Sequence, residues 1–194
     1  MGNRGLAMTT TRMALTELNA LDQDEFAAKL AFLFEGTPWV AAQAWHARPF
    51  SSLAHLHRIL TSVMFNAPHE RQVALIAAHP DLAGKTALAG ALSPESTGEQ
   101  AAAGLNRLLP DEMAAFTQLN DAYRQTFGFP FVICVRENTK QDILAAFAAR
   151  LHNSREREVE IALGEIARIC WLRLLDGVDA EDEQRSHENG LSRG

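Results

Sequence analysis

Two short stretches hold the residues best suited to chemistry. In Ala78-His79-Pro80-Asp81-Leu82-Ala83-Gly84 a histidine stands directly before a proline, between two apolar runs. The residue before proline is pushed out of the helical region, so His79 is expected to close a helix. An imidazole at a helix C-terminus meets a dipole that favours the protonated ring. In Ser96-Thr97-Gly98-Glu99-Gln100 the pattern reads as the start of the next helix, with a carboxylate in its first turn. An imidazole and a carboxylate at facing helix ends can move a proton near neutral pH without a cofactor. Plain structural readings compete with this one. His79 could serve only to satisfy carbonyls at its helix end. Ser96 and Glu99 have the spacing of a capping box, in which each side chain satisfies the other's backbone N–H. Gly98 weakens that reading, since glycine in a first helical turn costs stability and lets a ligand approach the backbone. Free N–H groups at such a helix start would suit an anion.

Arg173 is the most informative charge. Val159, Ala162, Ile166, Ile169 and Cys170 recur at three- and four-residue spacing and define a buried stripe, which Arg173 continues. Arg168 falls off that stripe, beside Glu165 and Trp171. A buried arginine needs a carboxylate, and Glu99, another protein group or the carboxylate of a ligand would each serve. A third feature is Phe127-Gly128-Phe129-Pro130-Phe131-Val132-Ile133-Cys134-Val135, apolar, aromatic and β-branched. Pro130 excludes a helix interior, so a short buried extended segment is expected. As a pocket wall, its backbone would be a rigid ruler for a planar, amide-rich ligand; as a core connector it would need none. Other candidates carry less. His55 and His57 are two apart on a predicted helix and do not face each other. The sequence shows no metal-ligand spacing and no Gly-rich phosphate loop or dinucleotide fingerprint. Ser96 lacks the setting of a nucleophile elbow.

Helices must position these groups. Asp22 and Glu25 mark a helix start, followed by Phe26, Leu30, Leu33 and Phe34 at helical spacing and ended by Gly36 and Pro38. Trp39, Trp45 and Phe50 read as a connecting segment around Arg48-Pro49. Ser51 or Ser52 caps a helix with Leu53, Leu56, Leu60, Val63 and Met64, and Pro68 suits the first turn of the helix that runs into His79. A loop with Gly84 and Gly90 leads to the helix opened by Ser96 and reaching Leu108. Another starts at Pro110-Asp111-Glu112 with Met113, Phe116, Leu119 and Tyr123 as its stripe. Two more span roughly 139–152 and 155–176. The fold expected is all-α, a single compact bundle of about seven or eight helices with one short buried extended segment. Residues 1–12 are expected to be a flexible N-terminus, 13–176 the helical domain and 177–194 a disordered polar tail.

Composition narrows the function classes. The chain has 194 residues, 47% hydrophobic and 22% charged, ordinary for one soluble globular domain. A formal net charge of -6 without a basic run argues against a nucleic-acid binder. No apolar stretch approaches the ~20 residues of a membrane span, and Met1-Gly2-Asn3-Arg4-Gly5-Leu6 fits neither a signal peptide nor a myristoylation site. Cys134 and Cys170, both in apolar surroundings, read as reduced, buried thiols.

The sequence resembles the 2-oxo-4-hydroxy-4-carboxy-5-ureidoimidazoline (OHCU) decarboxylases of urate breakdown, from about Leu18 to Leu175. The likeness is carried by Phe34-Glu35 with Pro38-Trp39, Arg48-Pro49-Phe50, the two stretches around His79 and Glu99, and Ala103-Gly104-Leu105. It continues through Leu119-Asn120 with Tyr123, Phe127 to Phe131, Arg150-Leu151 and Leu172-Arg173-Leu174. The resemblance implies an all-α homodimer without metal or organic cofactor, converting OHCU to (S)-allantoin and carbon dioxide after urate oxidase and hydroxyisourate hydrolase. It places the catalytic histidine on His79 and its acidic partner on Glu99. Substrate contacts fall on Pro80, on Ser96, Thr97, Gly98, Glu99 and Gln100, on the backbone of Phe131, Val132, Ile133, Cys134 and Val135, and on Arg173. The ending Leu191-Ser192-Arg193-Gly194 is not the peroxisomal one of animal relatives, so the cytoplasm is the expected compartment. The residues alone leave two other readings: a cofactor-free hydrolase or isomerase of a related ureido or amide substrate, and a non-catalytic helical interaction module.

Overall fold

A computed structural model describes residues 12–84, 90 and 92–179. The segments at 1–11 and 180–194, expected to be loose, lie outside the described residues. Nine α-helices occur among the described residues: α1 Leu15–Ala20, α2 Gln23–Lys29, α3 Trp39–Ala44, α4 Leu53–Phe65, α5 His69–Ala77, α6 Pro94–Ala102, α7 Pro110–Phe127, α8 Lys140–Arg150 and α9 Arg155–Gly177. Most begin at a recognisable cap. Asp22, Ser52, Thr139 and Ser154 each accept a backbone N–H three residues on, and Pro110 opens α7 where a missing N–H costs nothing. Gly128, at φ +80, closes α7 in a left-handed conformation that glycine adopts without strain.

The longest helix, α9, is the spine. It packs on α4, on α5 and on the 3-10 turn Ala31–Phe34 that follows α2. Its inner face buries Val159, Ala162, Leu163, Ile166, Cys170 and Leu174 against the core, as the periodicity predicts. The extended segment is also as expected: residues 130–134 carry no helix or turn, and Phe131 to Val135 are all buried. Among the described residues no helix is long and apolar enough to cross a membrane.

Three departures from the sequence reading have physical causes. The stretch around Trp39 and Trp45 is helical rather than a connector, because Val40, Ala41 and Ala44 share one fully buried face. A turn at Trp45–Ala47 then leads to a cis Arg48–Pro49 peptide. Ser93, not Ser96, caps α6, its hydroxyl accepting from the Ser96 N–H at 3.1 Å with Pro94 next in line. That helix ends at Ala102, short of Leu108, where Gly104 turns to φ +75. Finally, Gly177 belongs to α9, and Val178–Asp179 forms a parallel two-residue pairing with Met13–Ala14. The folded domain thus extends past the point where the polar tail was expected to begin.

Candidate active site

His79 lies just beyond α5, whose last residues are Leu75, Ile76 and Ala77. Pro80 forbids another helical turn, so the ring folds back under its own helix. Its Nδ1 lies 3.0 Å from the Leu75 carbonyl oxygen. A carbonyl only accepts, so Nδ1 carries the proton and Nε2 holds a lone pair in the neutral ring. Nε2 is buried and has no hydrogen-bond partner among the described residues. Burial pushes the His79 pKa below the ordinary imidazole value of 6.5, against the opposing pull of the Glu35 charge and the Leu75 carbonyl. The helix end does favour the protonated ring, through the Leu75 carbonyl, but desolvation outweighs it.

The loop after His79 is fastened from two helices, α6 and α7. The Gln100 side chain accepts from the Ala83 N–H at 3.0 Å and donates to the Asp81 carbonyl at 3.4 Å. Asn120 donates to the Leu82 carbonyl at 2.8 Å, and Arg124 holds the Asp81 carboxylate at 2.8 Å. Ala83 takes a left-handed backbone at φ +49, a strained conformation this clamp maintains.

Arg173 reaches in from α9 and is 3% exposed. Its Nε and Nη2 donate to both oxygens of Glu99 at 2.9 and 2.8 Å. Nη2 also meets Glu35 Oε1 at 2.7 Å and Ser96 Oγ at 3.2 Å, while Nη1 donates to the Phe32 carbonyl at 2.8 Å. The sequence left Arg173's partner open between Glu99, another protein group and a ligand; the structure supplies both Glu99 and Glu35. Burial would lower the arginine pKa, but the bonds and charges of Glu99 and Glu35 more than reverse that, and it stays cationic. The expected cap role of Glu99 is absent, because Ser93 performs it and both Glu99 oxygens are spent on Arg173.

Glu35 is the member that spacing arguments missed. It follows the Ala31–Phe34 turn in a left-handed backbone, φ +48. Its carboxylate accepts from Ser93 Oγ at 3.0 Å, Ser96 Oγ at 2.7 Å and Arg173. Burial alone would raise its pKa, but the Arg173 charge and the Ser96 and Arg173 hydrogen bonds hold it below the usual carboxylate value. The residue pair Phe34-Glu35 carried part of the family resemblance, and that was the only signal pointing to it.

These groups meet in one cavity. Its lining comprises Glu35, His79, Pro80, Leu82, Ser96, Glu99, Gln100, Phe131, Val132, Ile133, Val135, Ile169 and Arg173. Thr97 and Gly98 are exposed on the outer side of α6 and do not line it; Gly98 borders an adjoining groove with Lys29, Arg136 and Asp176, which shares Glu99 and Arg173 with the cavity. Cys134 does not line it either, and burial pushes its thiol up to about 11, far from a thiolate nucleophile. Behind the extended wall, Arg150, Glu158 and Tyr123 form a buried network. Arg150 holds Glu158 at 2.9 Å and Tyr123 Oη at 3.2 Å, Tyr123 donates to Glu158, and Arg150 lies 4.3 Å from the centre of the Phe131 ring. Among the described residues no three His, Cys, Asp or Glu side chains come together as a metal site.

A helical domain that brings a buried imidazole and a two-carboxylate arginine clamp to one cavity has the groups that proton transfer on a small polar molecule requires. The OHCU decarboxylase family model matches residues 19–175, and the chain belongs to that family. It is 40% identical over 164 residues to the 2-oxo-4-hydroxy-4-carboxy-5-ureidoimidazoline decarboxylase of Amia calva, covering 84% of this chain and 94% of that protein. The decarboxylase of the same name from Halalkalicoccus jeotgali is 38% identical, covering 84% and 91%. A crystal structure of (S)-allantoin synthase superposes with a TM-score of 0.66 at 26% identity, covering 86% of this chain and 54% of that one.

Proposed function

We propose that this chain decarboxylates OHCU to (S)-allantoin and carbon dioxide, with His79 as its proton-transfer group. The observation that carries the reading is the buried, unpartnered Nε2 of His79 in a cavity that also holds Arg173, in a chain of this family.

In OHCU the carbon that loses carbon dioxide also bears a hydroxyl and neighbours a ring C=N. As the C–C bond to the carboxylate breaks, its electron pair forms a C=C bond and the C=N electrons move onto nitrogen, which takes a proton from solvent. The ring supplies its own electron sink. The enol that remains must lose its hydroxyl proton and gain one on the ureido-bearing carbon. His79 Nε2 accepts the first and delivers the second to one face, which fixes the configuration. Walls of Leu82, Phe131, Val132, Ile133 and Ile169 disfavour a localised carboxylate relative to a delocalised transition state. Glu99 acts through Arg173, which it holds by both oxygens, and the Leu75 carbonyl orients His79. The Ser96 hydroxyl joins Arg173 to Glu35.

By the family resemblance, the protein works as a homodimer in the cytoplasm, on substrate supplied by urate oxidase and hydroxyisourate hydrolase. Light scattering on the purified protein should give twice the chain mass. The functional test is a coupled assay in which those two enzymes generate OHCU and its ultraviolet decay is followed with circular dichroism. Fast decay with a growing (S)-allantoin signal is expected, and His79→Gln should return both rate and stereochemistry to those of the uncatalysed reaction. Ring opening without carbon dioxide release would overturn the reading in favour of a hydrolase. Full (S)-selectivity in His79→Gln would remove His79 from the mechanism.

A further inference from the structure

Three backbone groups in the extended wall of the cavity are already held. The Val132 carbonyl accepts from Arg150 Nη1 at 2.8 Å, the Cys134 N–H donates to Glu165 Oε2 at 2.8 Å, and the Cys134 carbonyl accepts from Asn138 Nδ2 at 2.8 Å. All three belong to even-numbered residues. In extended backbone the N–H and C=O of one residue point to one side, and those of the next residue point to the other. Holding residues 132 and 134 from the body of the protein therefore turns the N–H and C=O of Ile133 the opposite way. Ile133 lines the cavity and is 7% exposed. Neither its N–H nor its C=O has a hydrogen-bond partner among the described residues. Buried backbone groups are almost always paired, so this open pair calls for a ligand.

We propose that Arg150, Asn138 and Glu165 are positioning residues that hold Ile133 as a two-point edge for the ureido side of the substrate. A ureide alternates C=O and N–H groups along one edge, so it can pair with one donor and one acceptor of a single residue as a neighbouring strand would. The inference rests on the decarboxylase reading, which already sets this backbone against the substrate, and adds to it the side chains that hold that backbone in place from behind. Glu165 is the informative member. It belongs to α9, touches none of the reacting groups and pairs on its outer side with Arg168 at 3.1 Å.

The test compares Glu165→Ala, Glu165→Gln and Arg168→Ala in the coupled assay, with allantoin and hydantoin (the ring without the ureido arm) as competing inhibitors. Glu165→Ala should raise KM about fivefold while kcat stays within about twofold, the signature of lost uniform binding. Its preference for allantoin over hydantoin should fall by a similar factor. Glu165→Gln keeps an oxygen to accept from the Cys134 N–H and should behave as wild type, as should Arg168→Ala. Should Glu165→Ala not fold, Asn138→Ala, which leaves the Cys134 carbonyl only the Glu137 N–H at 3.1 Å, should shift KM and inhibitor preference in the same direction by a smaller factor, about twofold. Unchanged KM and unchanged inhibitor preference, whatever the effect on Tm, would overturn the proposal, and so would a Glu165→Gln variant as impaired as Glu165→Ala. A wild-type protein that releases no carbon dioxide would instead bring down the decarboxylase reading, and this proposal with it.

Discussion

At His79 burial and charge oppose each other, and the sign of the result can be measured. Its folded-state pKa lies below 6.5, so the unfolded chain binds the proton first as pH falls. Stability from the neutral buried ring is therefore complete above 6.5 and is lost as pH drops from there towards the folded-state value. Thermal melts of wild type should show Tm declining over that interval, and His79→Gln should show a shallower decline. The acid limb of kcat/KM, which reports the free enzyme, should fall below pH 6.5 rather than at it. Glu35 offers a second test at this scale. Glu35→Ala strands the hydroxyls of Ser93 and Ser96 and removes one of two counter-charges from a buried guanidinium, and urea unfolding should register a loss of about 3 kcal/mol. Glu35→Gln, which can still accept from both serines, should lose less. His79 and Arg173 were legible from sequence because each breaks a local pattern, a helix before proline and an apolar stripe. Glu35 was not, since nothing in the spacing of residues 31–38 ties it to positions 96, 99 or 173.

Elements were legible where their signals are local. Pro130 with β-branched neighbours announces the extended wall, and Asp22, Ser52 and Pro110 announce helix starts. The start of α6 was misplaced by three residues because Ser93 and Ser96 both have cap chemistry. What decides between them is Pro94, whose fixed φ suits the first helical position after Ser93. Ser93→Ala should accordingly cost about 1 kcal/mol in urea unfolding. The network behind the wall was hidden for a different reason. Glu158 sits in the first turn of α9, where sequence reasoning assigns acids to solvent and the helix dipole, yet it is fully buried. Its role follows from Arg150 and Tyr123, which come from other helices.

For the molecule as a whole, the apolar pattern specified a helical domain, while its closure depends on contacts that no local pattern contains. Val178 is 2% exposed and follows directly on α9, in a stretch that reads as the start of a polar tail. Its backbone pairs with Met13 near the other end of the domain. Val178→Ala should lower stability by about 2 kcal/mol in urea unfolding, whereas a loose tail would make the change neutral. The Arg173 clamp has the same long-range character. Its partners Phe32, Glu35, Ser96 and Glu99 lie 141, 138, 77 and 74 residues earlier in the chain. During synthesis these two acids leave the ribosome long before their cation does. Until α9 emerges, Glu35 and Glu99 lack the Arg173 guanidinium that holds them together, and the cavity lacks the Ile169 and Arg173 parts of its lining. A chain arrested before that helix can carry His79 and still possess no catalyst.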